Sequence, residues 1–303
     1  MSETMVPRLH LGDAVESFVD WVTVAGASFF TAVKDGLLAV FDVLDTALSA
    51  PPAWTIILVV AALAWFAKGW LLAVGSAVGL VVIGAVDQWG NAMDTLALVI
   101  LASGIALLIA IPLGIWAARN RRVSRVVRPV LDFMQTMPAF VYLIPTVVIF
   151  LTGVVPGLVA TIIFALAPGV RFTELGIRQV DSETVEAGQS FGATDWEILT
   201  GIQLPLAVRS IMAGVNQVIM LALSMAVIAG MVGADGLGKE VVSALATINI
   251  AKGAEAGLAI VFLAIFLDRF TSALGAPADH SSSLLATWKK KRTAKSIHAA
   301  TAA

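Results

Sequence analysis

The chain has 303 residues, 59% hydrophobic and 13% charged, with a mean hydropathy of +0.92. A soluble globule carries about 25% charged residues, so this composition excludes an ordinary soluble domain and points to an all-α polytopic membrane protein. Cysteine is absent, which excludes disulfides, thiolate metal sites and thiol redox chemistry; the net charge of -2 decides little, because position matters more than the sum.

Residues 1–50 read as an amphipathic helical segment. Val15, Phe18, Val22, Phe29, Val33, Leu37, Val40, Leu44 and Leu48 recur near the helical period, with Asp13, Glu16, Asp20, Asp35, Asp42 and Asp45 between them. An interfacial helix usually carries Lys and Arg on its polar face. This one is acidic, so it reads as a scaffold packed beside the spans, with Gly26 and Gly36 as candidate breaks. No basic stretch, short apolar run and cleavage site open the chain, so no removable signal is expected.

Residues 51–88 predict two short apolar helices, Ala53 to Ala67 and Leu71 to Val86, parted by Lys68-Gly69-Trp70. A span needs about 20 apolar residues, so these two are tilted or form a hairpin that crosses incompletely. Residues 89–275 read as the core domain. Its spans run from Thr95 to Ala118, Val130 to Leu151 with Pro138 and Pro145 inside, Gly157 to Val170, Leu206 to Val232, and Gly257 to Phe270. The total is about seven. Residues 236–252 read as a short, partly immersed helix.

Orientation follows from the basic residues. Arg119, Arg121, Arg122, Arg125 and Arg128 fill one loop without an acid, and Lys289, Lys290, Lys291, Arg292 and Lys295 fill the tail at 276–303. Both are expected in the cytoplasm, with the N-terminus outside. His10, His280 and His298 lie near the termini and read as solvated. No P-loop, zinc spacing or catalytic constellation is present, so no cofactor, metal or enzymatic activity is expected on this chain, nor nucleic-acid binding.

One polar stretch lies between two apolar runs. It reads Glu186-Ala187-Gly188, three residues, Gly192, nine residues, then Ile202-x-Leu204-Pro205. Glu186 suits a helix start, Ala187 and Gly188 allow close approach, and Gly192 permits a sharp turn. Asp195-Trp196-Glu197 offers a second short helix that Pro205 would end, with Pro205 in the first turn of the next long helix. This spacing resembles the cytoplasmic E-A-A-x3-G-x9-I-x-L-P loop of ABC-importer permeases, with Gly188 in place of the usual third alanine. The resemblance implies a type I permease fold. It also implies that loop 178–205 docks on an ATPase subunit as two helices joined at Gly192.

Three further segments extend the likeness. Asp132 to Pro145, Val154-Val155-Pro156-Gly157 and Phe164 to Pro168 resemble permease subunits of glycine betaine/proline betaine importers. Two prolines free backbone carbonyls in the Val130–Leu151 span, beside Gln135, Thr136, Met137, Pro138 and Tyr142. These residues, with Asn216, Gln217 and Ser224, read either as a translocation path or as packing hydrogen bonds. Met220, Met225 and Met231 read as core, and Arg171 with Glu174 as a helical ion pair. One tyrosine and scattered tryptophans argue against a tight cation–π cage.

The resemblance implies several partners: a second permease copy, two ABC ATPase subunits holding ATP and Mg, an extracytoplasmic substrate-binding protein, and membrane lipids. Permeases for choline, an amino acid or a sulfonate share the loop. An ion-coupled secondary transporter or osmotic channel is the alternative class; it predicts repeated halves with broken helices.

Overall fold

The computed structural model describes residues 11–275; residues 1–10, the basic tail and the three histidines lie outside the described residues. Every regular element among the described residues is helical. Three helices form the centre: α5 (Trp89–Arg119), α8 (Val154–Arg178) and α11 (Leu204–Ala229). Leu98, Ala102 and Ala106 of α5 meet Leu158 and Ala165 of α8, and Val218 and Ala222 of α11. Small side chains bring the backbones close, as association in lipid favours. A methyl on Gly169 would stand 2.7 Å from Ala110 Cβ.

Four helical stretches are long and apolar enough to cross a membrane: α5, α8, the continuous run Asp195–Val232, and α13 (Ile250–Gly275). Two bent pairs raise the number to as many as six. One is α1 (Leu11–Ala25) with α2 (Ala27–Ser49), bent by 76°. The break falls beside Gly26; α2 runs unbroken through Gly36, because a lone glycine weakens a helix without ending it. Phe41, Leu44 and Leu48 of α2 pack on the central core, and Phe30 meets Phe150 edge-on at 5.8 Å.

Helices α3 (Ala53–Ala67) and α4 (Trp70–Ala85) form a hairpin. Their 15 and 16 residues give about 22–24 Å at 1.5 Å per residue, short of a hydrocarbon core of about 30 Å. Of the two sequence readings, incomplete crossing fits these lengths.

The second bent pair is α6 (Arg121–Thr136) with α7 (Ala139–Phe150), which meet at 97°. The span expected from Val130 to Leu151 is therefore not one kinked helix. Pro138 has no N–H, so the carbonyl of Met134 loses its helical donor, and Met137 before it is extended (φ −70°, ψ 133°). The buried Tyr142 hydroxyl donates to that Met134 carbonyl and closes the corner. Tyr142→Phe leaves the carbonyl unpaired, and the expected loss is about 1–3 kcal/mol. Denaturant unfolding in detergent checks it; an unchanged midpoint contradicts this account of the corner.

The charged groups separate by end. Arginines gather where α5 and α8 finish and α11 begins, at Arg119, Arg178 and Arg209. At the opposite end α12 (Leu237–Ala246) is fastened to α5, because Thr95 Oγ1 accepts the buried Leu237 N–H at 2.8 Å. The short helix expected at 236–252 is this one. Lys252 Nζ lies 2.7 Å from Glu240, and Lys239 Nζ 2.6 Å from Asp235. The Asp235 carboxylate holds the Lys239 ammonium above its ordinary pKa.

Candidate functional site

The polar stretch folds into two short helices at the arginine end. Helix α9 (Ser182–Ser190) is capped by Asp181, whose Oδ1 accepts the Glu183 N–H at 3.0 Å. The helix start is thus Asp181 and Glu183; Glu186 lies one turn further on, and not at the N-terminus as expected. Gly192 turns the chain with φ +80°, in the region that favours glycine. Thr194 and Glu197 then form a reciprocal cap on α10 (Asp195–Ile198): Thr194 Oγ1 accepts the Glu197 N–H at 3.3 Å, and Glu197 Oε2 accepts the Thr194 N–H at 2.7 Å.

Pro205 does not end this second helix. The chain passes through a π turn at Leu199–Gln203 and continues as α11 with Pro205 in its first turn. The widened turn lies immediately before a ring that would otherwise press on a carbonyl one turn back. Gly188 receives an internal neighbour: a Cβ there would stand 2.7 Å from Ile202 Cδ1. The expected close approach at Gly188 is the loop packing on itself, against Ile202.

Two large aromatic side chains stand out among the loop's exposed and mostly polar residues. Phe191 is 93% exposed and Trp196 69%, and Ala187 is exposed beside them. Phe191 was not singled out from sequence, although a lone phenylalanine in a polar loop is a signal. A groove of about 340 Å³ separates α9 from the ends of α5 and α8, lined by Arg119, Arg178, Glu186, Gln189 and Gln203. Arg119 also grips α10, with Nη1 donating to the Asp195 carbonyl at 2.7 Å and Nη2 3.3 Å from Asp195 Oδ2.

Behind this loop is a buried carboxylate. Glu174 of α8 is 3% exposed. It accepts from Ser124 Oγ at 2.7 Å, Arg128 Nη2 at 2.9 Å and Arg178 Nε at 2.9 Å. Arg178 Nη2 in turn donates to the Ala117 carbonyl of α5 at 2.9 Å. The ion pair expected between Arg171 and Glu174 is therefore absent: Arg171 pairs with Asp132 of α6, because the 97° corner lays α6 against this end of α8. Arg128 of α6 thus packs α6 against α8.

The path candidates divide. Gln135, Thr136 and Pro138 are exposed at the α6–α7 corner, with Met137 half-buried. Met137 and Tyr142 pack with Met225 and Ile228 of α11, which sets the corner beside Ser224. Gln217 and Ser224 are exposed seven residues apart and share one face of α11, and the exposed Met231 follows in the short 3-10 turn Gly230–Val232 beyond it; Met225 is core as expected, Met231 is not. Asn216 points elsewhere. Its Nδ2 donates to Asp268 Oδ1 at 2.9 Å and its Oδ1 accepts from Thr271, tying α11 to α13. Asp268, an acid inside the final span, was missed in sequence despite being a signal in itself.

Residues 110–276 match the family described as binding-protein-dependent transport system inner membrane component. The chain belongs to this family. It is a multi-pass membrane component, and two of its relatives match over nearly their full lengths. The glycine betaine transport system permease protein OpuAB of Bacillus subtilis is 46% identical over 266 residues, 88% of this chain and 94% of that one. The glycine betaine/carnitine transport permease protein GbuB of Listeria monocytogenes is 47% identical over 277 residues, 90% and 98%. The methionine ABC transporter MetNI, solved in inward-facing conformations, has a chain that superposes with a TM-score of 0.56 at 20% identity, over 61% of this chain and 92% of that one. That likeness establishes the type I permease fold for this inner membrane component.

Proposed function

We propose that the chain is the translocating subunit of an ATP-driven importer for glycine betaine or a related methylated ammonium solute. The observation that carries this reading is identity of 45–47% to permeases named for glycine betaine, in three organisms. Two copies pair around the path, and the exposed residues Gln217 and Ser224 of α11, with Met231 just beyond it and the corner at Gln135–Pro138, line it. A separate binding protein delivers substrate, which suits a chain with one tyrosine and scattered tryptophans. ATP and Mg belong to two ATPase subunits. Phe191 and Trp196 enter a cleft on each ATPase, and Gly192 fixes the angle between the two docking helices. The arginine end and the loop face the cytoplasm; α12 and the N-terminus face outward.

Uptake tests the substrate. A strain lacking its own importers and carrying the cognate partners accumulates labelled glycine betaine with this chain and not without it; uptake of a sulfonate or methionine alone rejects the proposal. Single cysteines test the topology on this cysteine-free chain. In intact right-side-out cells an impermeant maleimide labels Leu245→Cys on α12 and spares Gln189→Cys on α9. The reverse pattern inverts the orientation.

A further inference from the structure

The α3–α4 hairpin leaves a cavity of about 350 Å³ between itself, α5 and α13. That is the room of about a dozen water-sized groups. Leu71, Gly75, Gly79, Phe262 and Ile265 are among its lining, and Ser76 supplies its one polar side chain. Ser76 is 7% exposed, and its Oγ has no hydrogen-bond partner. A helical hydroxyl ordinarily returns to the carbonyl one turn back, as Ser103 and Thr161 do here. Leaving one unpaired in a buried site is unfavourable.

Water does not resolve this. A buried water needs two to four polar partners, and this cavity offers one. The mouth is open: Leu71 is 71% exposed and Ile265 51%. Both are apolar and exposed on a membrane component, and the hairpin is too short to cross a bilayer, a mismatch that surrounding lipid must absorb. The fitting occupant is apolar along its length and carries one acceptor. We infer that the cavity is a lipid site, in which one acyl chain of a membrane phospholipid fills the space and its ester carbonyl accepts the Ser76 hydroxyl. The inference stands on membrane insertion alone and is independent of the transported solute.

The full chain in nanodiscs containing phosphatidylglycerol with an acyl-chain diazirine tests this. After photolysis, peptide mass spectrometry is expected to find adducts concentrated around 71–80 of α4 and 262–266 of α13. Gly75→Leu directs a side chain into open space, since a Cβ there meets nothing within 4 Å, and it abolishes those adducts. Ser76→Ala leaves the shape and lowers their yield by about fivefold, the loss of one neutral hydrogen bond. Adducts spread over all lipid-facing helices in proportion to exposure overturn the site. So does unchanged labelling in Gly75→Leu, or protection of these peptides by an assembled partner subunit in place of lipid. Should Gly75→Leu fail to fold, unchanged yield in Ser76→Ala overturns the carbonyl contact.

Discussion

Glu174→Lys is expected to destabilise the folded chain by about 3 kcal/mol or more and to lower its yield in the membrane. The carboxylate is buried and holds three donors from α6 and α8. Removing one partner of a buried ion pair costs about 3–5 kcal/mol, because the remaining charge is left uncompensated. Here Arg128 and Arg178 keep 58% and 30% of their side-chain exposure, so hydration relieves part of the loss and the lower end applies. Lysine adds a third cation to two arginines. Glu174→Gln keeps an acceptor for Ser124 and is milder, about 1–2 kcal/mol. Denaturant unfolding of the purified variants in detergent gives the order wild type, Gln, Lys. Equal stability of all three would remove Glu174 as the tie between α5, α6 and α8.

Gly192→Val is expected to leave folding nearly intact and to uncouple the loop from its ATPase. At φ +80° a residue with a Cβ carries strain of about 1–2 kcal/mol, and valine is a poor fit to that region. No atom lies within 4 Å of the added Cβ, so the strain is the whole local cost. A chain of this size tolerates it, but the relief is a change in the angle between α9 and α10, which places Phe191 and Trp196 wrongly. Glu186→Lys acts by charge. It adds a cation to the groove that already holds Arg119 and Arg178. Both variants are expected to melt close to wild type while co-purifying little ATPase. Full ATPase recovery with Gly192→Val would show that the turn's geometry does not govern docking.

The broad fold was legible because its signals are strong in one dimension. Long apolar runs give α5, α8, α11 and α13, and five arginines from the end of α5 into α6 mark one end of the bundle. The two-helix loop was legible from Gly192 and its spacing. What the sequence hid lies where hydrogen bonding at a distance wins over local pattern. The run from Val130 to Leu151 is apolar enough to read as one span, yet Pro138 frees the Met134 carbonyl and Tyr142, eight residues from it, closes the corner. That corner lays α6 along α8, so Glu174 finds Ser124 and Arg128 about fifty residues away, and Arg171 turns to Asp132. Proximity in sequence suggested the wrong pair. Pro205 takes its expected place in the first turn of α11 but is no stop, because the preceding π turn carries the chain through.

Among the path residues the reading by composition could not separate faces. Asn216 and Gln217 are neighbours in sequence, but one bonds Asp268 and the other is exposed. A helix turns about 100° per residue, so of two neighbours bordering one pocket only Asn216 reaches across to α13.

The most direct test of the central claim joins transport and hydrolysis in one preparation. Vesicles holding this chain with its ATPase, ATP inside and binding protein outside, are given labelled glycine betaine with and without an ion gradient. Accumulation is predicted to require ATP and binding protein, to proceed without the gradient, and to fall together with substrate-stimulated hydrolysis in Gly192→Val. Accumulation driven by the gradient in the absence of ATP would contradict the account.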